Sequence, residues 1–146
     1  MVGYALVVLY SYYASDRSFQ SLRRTGLALL LVFFALNYFH PQWFMWIAPF
    51  LVLELVEDRR LIFLYAIQVV SVAFYSFNWG VYFAGWLFLP INPEFFRNIQ
   101  GMTYYVSKIY SPERVILTLR SIFTAVALFM VYLVLSRLAR QKKDFG

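Results

Sequence analysis

Apolar residues fall in stretches separated by short polar or proline-containing segments. The stretches cover residues 2–14, 25–38, 43–56, 61–78 and 114–136. As a helix the last would be ~35 Å long, enough to cross a bilayer with some tilt, whereas the first is too short to cross comfortably. The pattern predicts an all-α, multi-pass helical membrane protein with four to five hydrophobic segments.

The second and third stretches are best interpreted as two helices. A single helix over residues 25–56 would be ~48 Å long, well beyond the hydrocarbon core. Pro41 also disfavours helix at His40 and removes a backbone donor. We therefore predict two short antiparallel spans joined by a tight turn at residues 40–42.

Residues 79–113 predict an interfacial region instead of another span. Residues 79–89 are rich in tryptophan, tyrosine and glycine, which favours an interfacial or re-entrant segment. Asn92 and Pro93 form a helix-start signal, with asparagine as the N-cap and proline in the first position. The Ser-Pro-Glu sequence at 111–113 repeats that signal.

Composition supports a membrane protein and rules out an ordinary soluble enzyme. The chain is 62% hydrophobic and only 14% charged, against about 45–50% and about 25% in soluble domains. With no repeat or linker, we predict one membrane domain over residues 1–146. The absence of cysteine excludes disulfides and thiolate chemistry, and the single histidine cannot build a His-rich metal site, so no metal or cofactor is expected.

The net charge of +6 is concentrated in three basic clusters between apolar stretches. The clusters are Arg17 with Arg23 and Arg24, Arg59 with Arg60, and Arg137 with Arg140, Lys142 and Lys143. This distribution is typical of cytoplasmic loops and disfavours nucleic-acid binding; membrane lipids are the expected partners. It places the N-terminus, the 40–42 turn and residues 79–113 outside the cytoplasm. A loop with a short interfacial helix (15–24) and a tail (137–146) are expected inside.

The strongest local motif is Asn-Tyr-Phe-His-Pro-Gln-Trp-Phe-Met-Trp-Ile-Ala-Pro at residues 37–49. His40, the Gln42 amide and helix-start N–H groups are suited to binding a phosphate oxygen, with Trp43 and Trp46 as the adjoining wall. An aromatic belt with a proline turn facing lipid headgroups explains the same residues.

Residues 39–50 resemble a stretch of GT-C-type glycosyltransferases that use polyprenyl-phosphate sugars, including mannosyltransferases of glycolipid-anchor synthesis and related bacterial and archaeal families. The shared pattern is Ser/His-Pro-Gln-Tyr/Trp followed by spaced tryptophan and proline. In that superfamily the stretch lies late in the chain, at the extracytoplasmic end of a span near the lipid-linked donor. The resemblance implies a prokaryotic cell-membrane location and a polyprenyl-phosphate-linked sugar as substrate.

The resemblance also implies a catalytic carboxylate in the first extracytoplasmic loop, upstream of this stretch, and none is found there. Only Glu94 and Glu113 lie outside the cytoplasm in the predicted topology, each at a helix start where the helix dipole favours a carboxylate. Glu94 is a weak candidate for the base, and the catalytic residue stays unknown. We expect a C-terminal membrane portion whose catalytic half precedes Met1 or is a separate subunit.

Arg120 is a charge six residues into the last predicted span, where charges are costly and often functional. The functional interpretation is that Arg120 holds the carrier phosphate, assisted by Arg114 or Lys108. The structural alternatives are that Arg120 extends to the interface or pairs with Glu113 or Gln68.

The sequence therefore predicts the lipid-carrier-binding part of a glycosyltransferase acting on the extracytoplasmic side, whether or not the chain is itself an enzyme. Two other classes stay open. One is a non-catalytic membrane scaffold or accessory subunit. The other is a small transporter, which the scarcity of charges within the spans disfavours.

Overall fold

The computed structural model describes residues 2–37, 41–76, 90–98 and 102–144, and every regular element among them is a helix. The α-helices are α1 (Val2–Ala14), α2 (Phe19–Leu36), α3 (Ala48–Glu57), α4 (Ile62–Ser76), α5 (Pro93–Asn98), α6 (Met102–Ser107) and α7 (Pro112–Asp144). Short 3₁₀ helices at Pro41–Trp46 and Arg59–Leu61 precede α3 and α4. The all-α prediction is confirmed for this part of the chain.

Helix starts follow the capping signals in the sequence. The Ser18 hydroxyl accepts the backbone N–H of Ser21 at 3.2 Å, which caps α2. The side-chain oxygen of Asn92 accepts the N–H of Phe95 at 3.1 Å, and α5 begins at Pro93 as predicted. The predicted start of the last helix at residue 112 is also confirmed.

The start of α2 differs from the prediction. The helix begins at Phe19 and runs without a break through Arg23 and Arg24, so no separate interfacial helix precedes a span at residue 25. Arginine is a good helix former. Both guanidinium groups are ion-paired with carboxylates of α3, so their charges do not oppose burial in a continuous helix.

Two further boundaries differ for local reasons. The predicted 43–56 segment begins in the 3₁₀ helix, and α3 starts only at Ala48, with Pro49 in its first turn where a missing N–H costs nothing. The last helix continues through Arg137, so the predicted tail at 137–146 is helical in its described part. Lysine, arginine and glutamine propagate a helix well.

The chain separates into two compact units, Met1–Gln68 with Phe123–Gly146, and Val69–Ile122. The helices α4 and α7 each contribute to both units. The single membrane domain stays a prediction.

In the first unit α1 and α2 are antiparallel. At one end the Asn37 amide donates to the Tyr4 hydroxyl at 2.9 Å, and at the other the Ser21 hydroxyl donates to Asp16 at 2.5 Å. The helix α3 is also antiparallel to α2 and packs closely at Gly26, where an added Cβ would lie 3.3 Å from the Phe50 ring.

The C-terminal part of α7 runs parallel to α3. The rings of Phe123 and Phe44 are 6.1 Å apart, and the Thr124 hydroxyl donates to the Ala35 carbonyl at 3.1 Å. About four turns further along α7, Arg137 reaches the end of α3. The N-terminus and the residue 41–46 turn therefore lie at one end of this unit, and the charged ends of α2, α3 and α7 lie at the other.

The core of the first unit is apolar between these two ends, while many large apolar side chains face outward. Fully buried residues recur at helical spacing: Leu27, Leu31 and Phe34 in α2, Leu51 in α3, and Met130, Val134 and Leu138 in α7. Exposed apolar residues include Leu6, Leu9, Val52, Val56, Leu128, Phe129 and Tyr132. Two described helices, Phe19–Leu36 and Pro112–Gln141, are long and apolar enough to cross a bilayer.

Candidate functional site

Charged side chains from three helices meet at one end of the first unit. We call this group the charged cluster; its members are Arg23 and Arg24 of α2, Glu54 and Glu57 of α3, Asp58, and Arg137 of α7. Three guanidinium groups face three carboxylates, so the formal charges balance. The balance matters because an unpaired charge is expensive to bury.

Glu54 lies at the centre of the charged cluster and is only 1% exposed. One carboxylate oxygen accepts from Arg23 at 3.0 Å, and the other accepts from Arg137 at 2.9 Å. The Nε of Arg24 lies 3.5 Å from the latter oxygen. One carboxylate therefore joins α3 to both α2 and α7.

The rim of the charged cluster adds charged and neutral hydrogen bonds. Glu57 pairs with Arg23 at 2.6 Å and Arg24 at 2.8 Å, and Arg137 also pairs with Asp58. The Gln141 side chain accepts from Arg24 at 2.7 Å. These contacts place the last turns of α7 beside the start of α2.

The charged cluster brings together residues from all three predicted cytoplasmic regions. Arg23 and Arg24 come from the first, Glu57 and Asp58 border the second, and Arg137 begins the third. Sequence reasoning placed these groups on one side but missed their pairing. One feature of the sequence could have predicted this pairing. Glu54 is a carboxylate within an apolar stretch, and such a charge requires a partner.

Asp16, in the turn between α1 and α2, extends this network. Its carboxylate accepts from the Ser18 N–H at 2.9 Å, the Ser21 hydroxyl at 2.5 Å and the Gln141 amide at 2.9 Å. The hydrogen bonds from Ser18 and then Ser21 are the main reasons that the pKa of Asp16 is lowered from 3.8 to about 2.

An aromatic surface lies at the opposite end of the first unit. Trp43 and Trp46 of the 3₁₀ helix stack with their rings 5.8 Å apart and 11° from parallel, and both are exposed. Phe44 of the same helix turns inward against Phe34 and Phe123. The turn is thus anchored by one buried ring and presents two tryptophans on its outer side.

Of the two residues predicted to contact the phosphate, the structure describes only the backbone of one. His40 lies outside the described residues. The backbone of Gln42 lies in the 3₁₀ helix, and its side chain is outside the description. Their roles stay predictions, and the described neighbours are Trp43 and Trp46.

The other predicted site residues belong to the second unit. Glu94 is exposed in the first turn of α5, and Arg114 is exposed near the start of α7. Arg120, two turns further along, is partly buried. Lys108 lies over the Tyr104 ring, with its Nζ 4.5 Å from the ring centre, so its charge is directed toward an aromatic face.

Among the described residues, no group of three or more histidines, cysteines, aspartates or glutamates is suited to holding a metal ion. Comparison with protein-family models, curated proteins and solved structures finds no match for the chain. The candidate site therefore rests on the geometry above and on the motif at residues 37–49.

We expect Glu54→Gln to destabilise the protein by about 3 kcal/mol, because it leaves three guanidinium groups of the charged cluster against only two carboxylates in a largely buried site. Glu57→Gln serves as the matched control; its carboxylate is more exposed, so the loss should be about 1 kcal/mol. Chemical unfolding in detergent followed by circular dichroism measures both. Equal losses for the two variants would contradict the central role of Glu54.

Acid should weaken the attachment of the α1–α2 turn through Asp16. Its pKa is lowered in the folded state, so its stabilising contribution is complete above about pH 4 and is lost as the pH falls toward 2. Thermal unfolding from pH 5 to pH 2 should show a smaller decline for Asp16→Asn than for the wild type. Identical pH profiles would show that Asp16 does not contribute in this range.

Proposed function

We propose that the chain is a multi-pass protein of a prokaryotic cell membrane, with four to five helical segments and a cytoplasmic C-terminus. The observation that supports this topology is the meeting of the three basic regions at one end of the first unit. The N-terminus and the Pro41–Trp46 turn lie at the other end. The outward-facing apolar side chains suit a lipid surrounding better than water.

The length of the first unit bears on how it would fit a membrane. Arg24 and Leu36 lie twelve residues apart on α2, which corresponds to ~18 Å of helix. The hydrocarbon core is ~30 Å thick, so local thinning of the bilayer or interfacial anchoring must accommodate the difference. The exposed Trp43 and Trp46 are suited to such anchoring at the outer interface.

Within this membrane unit, we propose that the outer end binds the lipid-linked donor of a glycosyltransferase. The observation that carries this proposal is the position of the motif at residues 37–49 in a helix break with two exposed, stacked tryptophans. His40 and Gln42 would contact the donor phosphate, and the tryptophans would form the adjoining wall. Arg114 and Arg120 belong to the second unit, and their contact with a carrier phosphate stays a separate prediction from the sequence.

The proposed reaction transfers a sugar from a polyprenyl phosphate to an acceptor hydroxyl on the extracytoplasmic side. The described carboxylates near the first unit's charged end are engaged: Glu54, Glu57 and Asp58 pair with arginines, and Asp16 accepts three hydrogen bonds. The base would therefore come from Glu94 or from a catalytic half or separate subunit.

A non-catalytic scaffold or accessory subunit is the second candidate. The charged cluster favours it, because Glu54, the most deeply buried of the described carboxylates, holds helices together instead of facing a cavity. A measurement of polyprenyl phosphate binding distinguishes the two candidates. A donor-binding part binds polyprenyl phosphate through the 37–49 motif, whereas a scaffold does not.

The topology predicts opposite accessibility for two single cysteines, and the chain has no native cysteine to interfere. Met45→Cys, in the exposed outer turn, should react with a membrane-impermeant maleimide in intact cells. Arg140→Cys, near the end of α7, should react only after permeabilisation. Equal labelling of both variants in intact cells would contradict the proposed orientation.

Donor binding should depend on the motif. We expect His40→Ala combined with Gln42→Ala to weaken binding of a photoreactive polyprenyl phosphate by about tenfold or more, because phosphate hydrogen bonds are lost. Met45→Ala is the control, since this exposed residue of the same turn has no proposed contact. Crosslinking of the full chain in proteoliposomes measures the effect; unchanged binding in the double variant would refute the donor-site assignment.

A further inference from the structure

A groove of ≈ 540 Å³ lies between α1 and the beginning of α2, at the same end of the first unit as the charged cluster. One part of its lining is polar, formed by Ser11, Ser15 and Arg17. Another part is apolar, formed by Val8, Phe19 and Leu22. The side chains of Phe19 and Leu22 are largely exposed. The groove thus combines one cationic group with an apolar wall.

Arg17 differs from the arginines of the charged cluster. Its backbone has φ 62°, in the left-handed region, and its N–H donates to the Ser15 hydroxyl at 2.9 Å. Its guanidinium is exposed and pairs with no carboxylate among the described residues. The neighbouring Asp16 carboxylate is held instead by Ser21 and Gln141. Arg17 therefore keeps its donors available to a ligand.

Ser11 provides a second and independent observation. This residue lines the groove and is only 4% exposed, yet its hydroxyl has no hydrogen-bond partner. A serine in a helix can donate to the carbonyl about one turn before it, as Ser121 and Ser136 do here. Buried polar groups without a partner are uncommon and point to a missing water, ion or ligand.

We propose that this groove binds the headgroup of an anionic phospholipid from the cytoplasmic leaflet. Arg17 donates to the phosphate, Ser11 or Ser15 donates to a headgroup oxygen, and the acyl chain lies along Val8 and Leu22. An anionic amphiphile satisfies both the cationic and the apolar parts of the lining, whereas a small soluble anion satisfies only the first.

The assignment is separate from the donor site. The aromatic surface of Trp43 and Trp46 lies at the other end of α2, so the two sites face opposite membrane leaflets in the proposed topology. The inference rests on the proposed membrane insertion and orientation. It does not depend on glycosyl transfer, and its test needs no enzymatic turnover.

Calorimetric titration of the full chain in a neutral detergent tests the proposal. The probes are dioctanoyl phosphatidylglycerol, dioctanoyl phosphatidylcholine and inorganic phosphate. We expect phosphatidylglycerol to bind at least about tenfold more tightly than either of the others, from the added charge-assisted hydrogen bonds and apolar contacts. Arg17→Gln should abolish this preference. Arg140→Gln, which removes an exposed arginine outside the groove, should preserve it.

A second variant tests the apolar part of the groove. Leu22→Ser should weaken phosphatidylglycerol binding several-fold, since apolar contact with the acyl chain is lost. Circular dichroism checks that each variant keeps its helical content. If Arg17→Gln does not fold, the binding of phosphatidylglycerol to Leu22→Ser still tests the proposal. Equal binding of both lipids, an unchanged preference in the Arg17 variant, or inorganic phosphate binding as tightly as phosphatidylglycerol would overturn the proposal.

Discussion

The arrangement of the first unit depends on one buried carboxylate. Glu54 lies in a mostly apolar helix and cannot be sequestered from water as a lone charge. Three arginines from two other helices satisfy it, and this requirement fixes which ends of α2, α3 and α7 come together. Apolar packing alone specifies which helix faces meet, but it specifies the direction and register of the helices much less sharply.

The charged cluster leaves the two ends of the unit with different chemistry. At one end the charges are largely paired with one another, and Arg17 stands apart from them beside a groove. At the other end stacked tryptophans project from a short 3₁₀ helix. A structure with this polarity suits an asymmetric environment, in which the two surfaces meet different lipids and different ligands.

Much of the fold could be predicted from local signals. The helix break after α2 follows from Pro41, and the start of α5 follows from Asn92 and Pro93. The continuation of α2 through Arg23 and Arg24 could not be predicted from local signals, because it depends on carboxylates about thirty positions away. Prediction of the candidate site was limited in the same way. The motif indicated the position of the turn, but the stacking of Trp43 on Trp46 and the shape of the groove depend on tertiary structure.

Translation produces the members of the charged cluster at different times. Arg23 and Arg24 are synthesised first and the three carboxylates next, whereas Arg137 lies 79 residues after Asp58. At ~5–20 residues per second, translation separates these two residues by ~4–16 s. Without α7, the α2–α3 hairpin and Asp58 carry two guanidinium groups and three carboxylates of the charged cluster. The arrival of α7 neutralises the remaining charge, so this helix completes the electrostatics of a hairpin made well before it.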